Sequence, residues 1–515
     1  MNLATLAALG VICVLILAQI ARRRRPRLPY PPGPPADSVI GHLRTMPDIN
    51  DAAQVFHEWS QSFGDVISLN TLGKRVVVLC SQEAVTDLLE KRSFKYADRP
   101  SFPMYERLGW KDLLVYLPYG PYFRKQRKML QAPFEKEKVS TYRLVEEQEA
   151  CVLLYGLLNK PEAMERHVHR YPTAVIMELT YGHRVLSEDD DYLCAAENVA
   201  EVLHVGAQAS LLDVSPLFEH LPAWFPGAWF VRYIAETRPK VMQRMLNSVS
   251  DVQQQLASGE AKQSIVSEQV EALSSEGQLT PENKYDVSMV AYQIFAGGAE
   301  TSHHTLSTFF ACMLLNPEVQ RKGHEEIMRV VGSGRLPDFT DRDSLPYVEC
   351  IVEESQRWHP VLPLGVPHQV MEDDEYRGMH IPKGATVIPN ARSITWDERH
   401  YHDPRSFKPE RFLPKPEGAG ETFSQGAVFG WGRRICPGRY LARDMVWIAI
   451  ARILAVFEVQ KAHDAAGNIV EPAIEFVTSL TSHPKPFPYD LRPRSDAAEQ
   501  LIRQAYDMHM ANIVT

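Results

Sequence analysis

The stretch FGWGRRICPGRY, residues 429 to 440, sets one cysteine among arginines and glycines. A cysteine thiolate is a soft, electron-rich donor that suits iron. It stays ionised where backbone N–H groups and controlled hydration favour the charged sulfur. The segment carries the parts for such a site. Gly430, Gly432 and Gly438 let the backbone turn tightly against a large planar partner. Arg434 can pair with a carboxylate, and Phe429 can pack on an aromatic face. A lone buried cysteine is more often structural, but the spacing F-x-x-G-x-R-x-C-x-G, filled by Phe429, Gly432, Arg434, Cys436 and Gly438, argues for a ligand. Pro437 has no N–H, so one donor to the sulfur is missing, and a more electron-rich thiolate with a lower iron potential is expected.

A second group of reactive types lies in Ala296-Gly297-Gly298-Ala299-Glu300-Thr301-Ser302. An acid and a hydroxyl stand beside two glycines, each costing a helix about 1 kcal/mol relative to alanine. Close helix packing would account for the glycines; so would the approach of a flat ligand or of O₂ to the backbone. The element that must position this group starts at Thr280-Pro281, a capping hydroxyl followed by a first-turn proline. It stops at Asn316-Pro317, which leaves roughly 35 residues, about 50 Å of helix. Its middle is apolar on nearly every face, so it belongs at the centre of a large protein.

The rest of the chain reads as mostly α with a small β part. Asp65 to Ser81 is rich in β-branched residues and reads as a hairpin around Leu72-Gly73-Lys74. Helical patterns dominate from residue 120 to 360, broken at ASGE, SSEGQLTPEN and VGSGRLPD. Strand-and-turn patterns follow Pro360, and RDMVWIAIARILAVF reads as the last helix. No long linker appears after residue 40, so residues 41–515 read as one large catalytic domain. Residues 1–21 read as a membrane anchor and 22–40 as a basic, proline-rich linker. The run from Leu3 to Ala21 is apolar and uncharged, and Arg22 to Arg25 follow it, which places the remainder of the chain in the cytosol by the positive-inside rule.

Composition narrows the function. The net charge of −9, from 55 basic and 64 acidic residues, speaks against a nucleic-acid binder. The seven cysteines are scattered without C-x-x-C spacing, which speaks against a disulfide framework or a cysteine-based zinc site. The pairs His167/His169, His303/His304 and His400/His402 lack the H-E-x-x-H form, so no metal site besides an iron at Cys436 is expected from them.

In these motifs the chain resembles the cytochrome P-450 superfamily of haem-thiolate monooxygenases. Beside the cysteine segment, Glu354-Ser-Gln-Arg357 matches the family's E-x-x-R, Pro409-Glu-Arg411-Phe412 its PERF segment, and Gly297-Gly-Ala-Glu300-Thr301 its oxygen-activation helix. The resemblance implies a P-450 fold binding haem b, with Cys436 as the axial iron ligand. It implies that Thr301 holds oxygen or a water, and that Glu300 helps relay protons. Arg434, Arg127 and His368 would neutralise the haem propionates, with Phe429 packed nearby. Glu354, Arg357 and Arg411 would form a structural network. Phe123 stands where the family commonly has tryptophan, so packing is kept and an indole N–H is lost.

The implied reaction is O₂-dependent insertion of one oxygen atom into a hydrophobic small molecule such as a terpenoid, sterol or polyketide. The stretch from Leu211 to Phe230, with Trp224, Phe225, Trp229 and Phe230, is similar to fungal secondary-metabolism members and suits a membrane interface or core packing. The pocket is expected from Phe102 to Tyr116, Gln293 to Thr301, Val361 to Val366 and Phe476 to Thr481. No G-x-G-x-x-G motif is present, so electrons are expected from an NADPH-dependent flavoprotein reductase. Arg124, Lys125, Lys128, Arg433, Arg439 and Arg443 are the candidate docking patch. The expected location is the endoplasmic reticulum membrane, by a single pass, with the catalytic domain facing the cytosol. A haem-thiolate isomerase or dehydratase needing no reductase, or a non-catalytic haem-binding protein, are the alternative readings.

Overall fold

The computed structural model describes residues 28–187, 189–208, 212 and 216–514. The expected anchor from Leu3 to Ala21 lies outside the described residues. Among those described, no helix is long and apolar enough to cross a membrane.

The helices that build the interior are α1 (Pro121–Gln131), α2 (Arg143–Asn159), α3 (Met164–Tyr181), α4 (Trp229–Ser258), α5 (Pro281–Leu315), α6 (Pro346–Trp358), α7 (Arg439–Val456) and α8 (Asp496–Val514). The central one is α5. The Thr280 hydroxyl accepts the Asn283 N–H at 3.2 Å, Pro281 opens the first turn, and Asn316-Pro317 ends the helix, as the sequence signals predict. Most of its side chains are buried, and α3 and α4 pack against it. α7 is buried almost all round and packs on α2 and α5. α8 was not expected from the sequence. It lies on α2, where Tyr506 stacks on Tyr155 at 3.7 Å, and Ile502 is its fully buried residue. An apolar stripe that narrow gives little helical periodicity to read.

The small β part is a four-stranded sheet and separate two-stranded pairs. In the sheet, β1 (Val66–Thr71) and β2 (Lys74–Leu79) form the expected hairpin. Leu72 and Gly73 both adopt positive φ, 49° and 82°, as a tight two-residue turn requires. β3 (His368–Gln369) runs antiparallel to β4 (Thr386–Pro389), which lies parallel to β2. This sheet carries His368 to the edge of the interior cavity. A separate hairpin pairs β5 (Phe476–Thr478) with β6 (Ser482–Pro484). The aromatic stretch ahead of α4 divides: Phe230 is buried, while Trp224, Phe225 and Trp229 are exposed, Trp224 at 80%.

One buried ion network ties α6 to the segment before the cysteine loop. On one face of α6, Arg357 donates through Nε and Nη2 to Glu354 at 2.7 and 2.9 Å. Arg411 Nε reaches the same carboxylate at 3.0 Å, and its Nη1 reaches Glu421 at 2.7 Å. Remaining N–H groups donate to the carbonyls of Thr395 and His402. All three charged groups of the core are 0–3% exposed, so none is interchangeable with a surface bridge. Glu354→Ala strands the buried Arg357 guanidinium, leaves Arg411 with Glu421 alone, and should cost about 3–5 kcal/mol of unfolding free energy. Denaturant titration measures it; a loss within the error of the wild-type value would contradict a structural role for the network.

Candidate active site

The cysteine loop is shaped by three local choices. A short helix, Gln425–Phe429, ends at Gly430, whose φ of 79° suits glycine. Gly432 has φ 56°, and a Cβ there would meet the Leu89 carbonyl oxygen at 2.2 Å. Its smallness therefore serves packing on the protein's own backbone, and not a planar ligand as the sequence suggests. At Gly438 an added Cβ would meet nothing. The Cys436 N–H donates to the Phe429 carbonyl at 2.7 Å and closes the loop just before α7 begins. Burial pushes the Cys436 thiol up; the Gly438 N–H and the charges of Arg127 and Arg439 oppose it. The missing donor at Pro437 is thus followed directly by one at Gly438.

Cys436 and Phe429 border a cavity of about 300 Å³. Arg434, Arg127, His368 and Thr301 border it too, so the fold brings these sequence-predicted residues to one place. Arg434 donates to the carbonyls of Ala97, Leu114 and Leu117, and its guanidinium lies 3.9 Å from the Phe123 ring centroid. Phe123 is therefore the seat of Arg434. Arg127 Nη1 donates to the Ile435 carbonyl at 2.6 Å and so grips the cysteine loop from α1.

His368 sits deep in the same wall. Its Nδ1–H donates to the Tyr96 carbonyl at 2.8 Å, and burial, with Arg99 and Arg434 beside it, holds the ring neutral. It borders the cavity beside Arg99 and Arg434. The sequence reading missed a third arginine beside it. Arg99 is buried and lines the cavity, donating to Val115, Val366 and Pro367 carbonyls. In the sequence it stands next to Asp98 and looks like half of a surface pair; in the fold Asp98 accepts the Tyr119 N–H at 2.7 Å and the Arg99 backbone N–H at 2.9 Å, without an ion pair to the guanidinium.

Among the described residues, Arg99, Arg127 and Arg434 form no ion pair with a carboxylate, and burial draws all three below their ordinary pKa, Arg434 to about 10. Cations this sequestered call for an anion of matching charge. A flat group bearing carboxylates, with a metal that accepts a thiolate, satisfies both the arginines and Cys436. The residues present fit haem.

The two glycines of α5 divide the two readings between them. A Cβ on Gly298 would meet Ile176 of α3 at 2.5 Å, so this glycine serves helix packing. At Gly297 the nearest atom would be Gln293 Nε2 at 3.5 Å, and the backbone lies open to the cavity. One turn on, the Thr301 hydroxyl donates to the Gly297 carbonyl at 2.8 Å, leaving its oxygen lone pairs as acceptors. Glu300 does not line the cavity. Its carboxylate faces α3, where Oε1 lies 3.0 Å from His169 Nε2. Burial opposes its ionisation, but His169, His303 and His304 outweigh that and hold it well below the usual carboxylate range. Two adjacent residues of an α-helix point about 100° apart, which is why Thr301 and Glu300 do not share the cavity.

Three of the four expected lining segments contribute: Leu114 and Val115, Gln293 to Thr301, and Val361 to Val366. Phe476 to Thr481 does not. Phe476 instead stacks at 3.5 Å on His359, which lines the wall. The expected basic patch is narrower than the sequence suggests. Lys125 pairs with Asp286 and Arg443 with Glu349, while Arg439 donates to the Cys436 carbonyl at 3.1 Å. Arg124, Lys128 and Arg433 stay exposed without a carboxylate partner among the described residues.

A family model described as Cytochrome P450 matches residues 31–489. The chain is 38% identical over 465 residues to cytochrome P450 monooxygenase 136 of Postia placenta, covering 89% of this chain and 88% of that protein. It is 36% identical over 477 residues to cytochrome P450 monooxygenase 176 of the same fungus, covering 91% of each. A cytochrome P450 monooxygenase of Armillaria gallica is 38% identical over 478 residues, with 90% and 92% covered.

Hydrogen bonds to charged groups are worth about 1.5–3 kcal/mol, so Arg434→Ala should weaken haem retention by about ten- to a hundredfold. Haem transfer to an excess of an apo-acceptor protein measures this. An unchanged transfer rate would contradict the assignment of Arg434 to the haem carboxylates.

Proposed function

This chain belongs to the cytochrome P450 family, and on that premise we propose that it inserts one oxygen atom of O₂ into a hydrophobic small molecule of secondary metabolism, with Cys436 as the thiolate ligand. Monooxygenases of this family, this chain among them, use haem b with an axial cysteine thiolate. The observation that carries the finer reading is one cavity bounded by Cys436, by three arginines that pair with no carboxylate among the described residues, and by the Gly297–Thr301 turn.

When bound, the haem supplies the iron centre at which O₂ is activated. The residues of the chain set the conditions around it. Cys436 is held by its own N–H on Phe429 and receives the Gly438 N–H, so the sulfur is oriented before any ligand arrives. Arg99, Arg127 and Arg434 offer charge to the carboxylate edge. Gly297 keeps the α5 backbone open, and Thr301 Oγ1 offers lone pairs that hold a water or a protonated oxygen in the cavity. Leu114, Val115, Val361, Leu362 and Val366 supply an apolar wall, and Gln293 and Gln356 place polar groups in it. Such a wall favours a terpenoid, sterol or polyketide over a charged metabolite, and the fungal relatives support a place in secondary metabolism.

Electrons come from NADPH through a separate flavoprotein reductase. The exposed Arg124, Lys128 and Arg433, near the cysteine loop, support docking of an acidic partner there. The apolar run from Leu3 to Ala21 with Arg22 to Arg25 behind it supports a single-pass anchor at the endoplasmic reticulum, with the catalytic domain in the cytosol. Exposed Trp224, Phe225 and Trp229 suit contact with the same membrane surface.

The test is to supply ¹⁸O₂ and apolar metabolites with and without a reductase. One labelled oxygen atom in the product, only when reductase is present, is the expected result. Turnover without reductase or without label would contradict monooxygenation and favour rearrangement of an already oxygenated substrate.

A further inference from the structure

Behind Thr301, on the face of α5 turned from the cavity, lies a second group of reactive side chains. Glu300 and His303, one turn apart, meet His169 of α3, and a donor atom from each lies within 4.8 Å of the others. Glu300 is 1% and His303 8% exposed.

The hydrogen bonds fix what each atom offers. Glu165 accepts the His303 Nε2–H at 2.6 Å and the Ser307 hydroxyl at 3.1 Å. Glu165 and Glu300 both favour the protonated His303 ring, so a metal at Nδ1 would displace a proton there. Among the described residues that nitrogen is buried without a hydrogen-bond partner, and it faces Glu300 Oε2 across 3.8 Å. Carboxylate and imidazole face each other across a buried gap that a proton or a metal cation can occupy. A proton on Nδ1 leaves a separation too long for a hydrogen bond. A metal about 2.0–2.2 Å from each, at a tetrahedral angle, sets them about 3.4 Å apart, close to what is seen. His169 Nε2, 3.0 Å from the other Glu300 oxygen, completes three ligands.

We propose that His169, Glu300 and His303 form a divalent-metal site, preferring Zn²⁺, buried between α3 and α5 and separate from the haem cavity. Two imidazoles and a carboxylate suit zinc. Glu165 behind His303 reproduces the carboxylate–histidine–zinc arrangement that orients a ligating imidazole. On binding, His169 Nε2 releases the proton it now shares with Glu300 and turns its lone pair to the metal. Water or His304 Nε2, 3.6 Å from Glu300 Oε2, fills the fourth position. Entry is from the surface beside Glu165, which is 50% exposed. Ligands drawn from residues 169, 300 and 303 match no local zinc motif, so the site exists only once α3 packs on α5. A bound ion would clamp these helices one residue from Thr301.

The experiment uses full-length, haem-loaded protein stripped with a chelator, equilibrated with Zn²⁺ alone, freed of unbound metal and measured for zinc per chain by elemental mass spectrometry. One zinc per wild-type chain is expected, and near zero for His169→Gln and His303→Gln, with the reduced carbon-monoxide spectrum reporting that each variant is folded. Equal zinc in wild type and folded variants, or no zinc retained by wild type, would overturn the site. Should the variants fail to fold, zinc-edge absorption of the wild type decides. A shell of two imidazoles with oxygen at about 2.0 Å supports it, and a sulfur-containing or all-oxygen shell refutes it.

Discussion

Arg99, Arg127 and Arg434 donate to main-chain carbonyls of Ala97, Leu114, Val115, Leu117, Val366, Pro367 and Ile435, and meet no carboxylate among the described residues. Sequestering a guanidinium group is costly unless its hydrogen bonds and its charge are both answered. The carbonyls answer the hydrogen bonds and in doing so stitch the segment before α1, the approach to β3 and the cysteine loop around one space. The charge is left for a ligand. Much of the local architecture follows from that demand: Phe123 seats one arginine, α1 delivers another to the cysteine loop, and β3 brings a neutral histidine between them.

The long central helix serves two interiors at once. Gly297, Thr301 and Thr305 face the haem cavity, while Glu300, His303 and Ser307 face α3 and its own polar cluster. Thr301 and Thr305 each return a hydroxyl bond to the carbonyl four residues back, which satisfies the cavity-facing side chains locally. On the opposite face Glu300 meets His169 and His303 meets Glu165, both on another helix. The acid and the hydroxyl that sit side by side in the chain therefore act on different surroundings.

What could be read from the chain was whatever local chemistry dictates. The ends of α5 follow from Thr280-Pro281 and Asn316-Pro317, the hairpin from a glycine turn between β-branched runs, and the Glu354–Arg357–Arg411 network from spacing and family resemblance. Helix phase was not legible. On a helix buried nearly all round, hydrophobic periodicity does not say which side faces a ligand, so Glu300 was expected beside Thr301. Arg99 was hidden because its role depends on Asp98 turning elsewhere, a tertiary fact. α8 escaped because its packing rests on few buried residues.

The central claim is that Cys436 holds the haem iron as a thiolate within this ring of arginines. The reduced carbon-monoxide difference spectrum of the wild type beside Cys436→Ser and Cys350→Ser tests it most directly. The account predicts the thiolate-type band in the wild type and in Cys350→Ser, and its loss in Cys436→Ser. Persistence of that band in Cys436→Ser would contradict it.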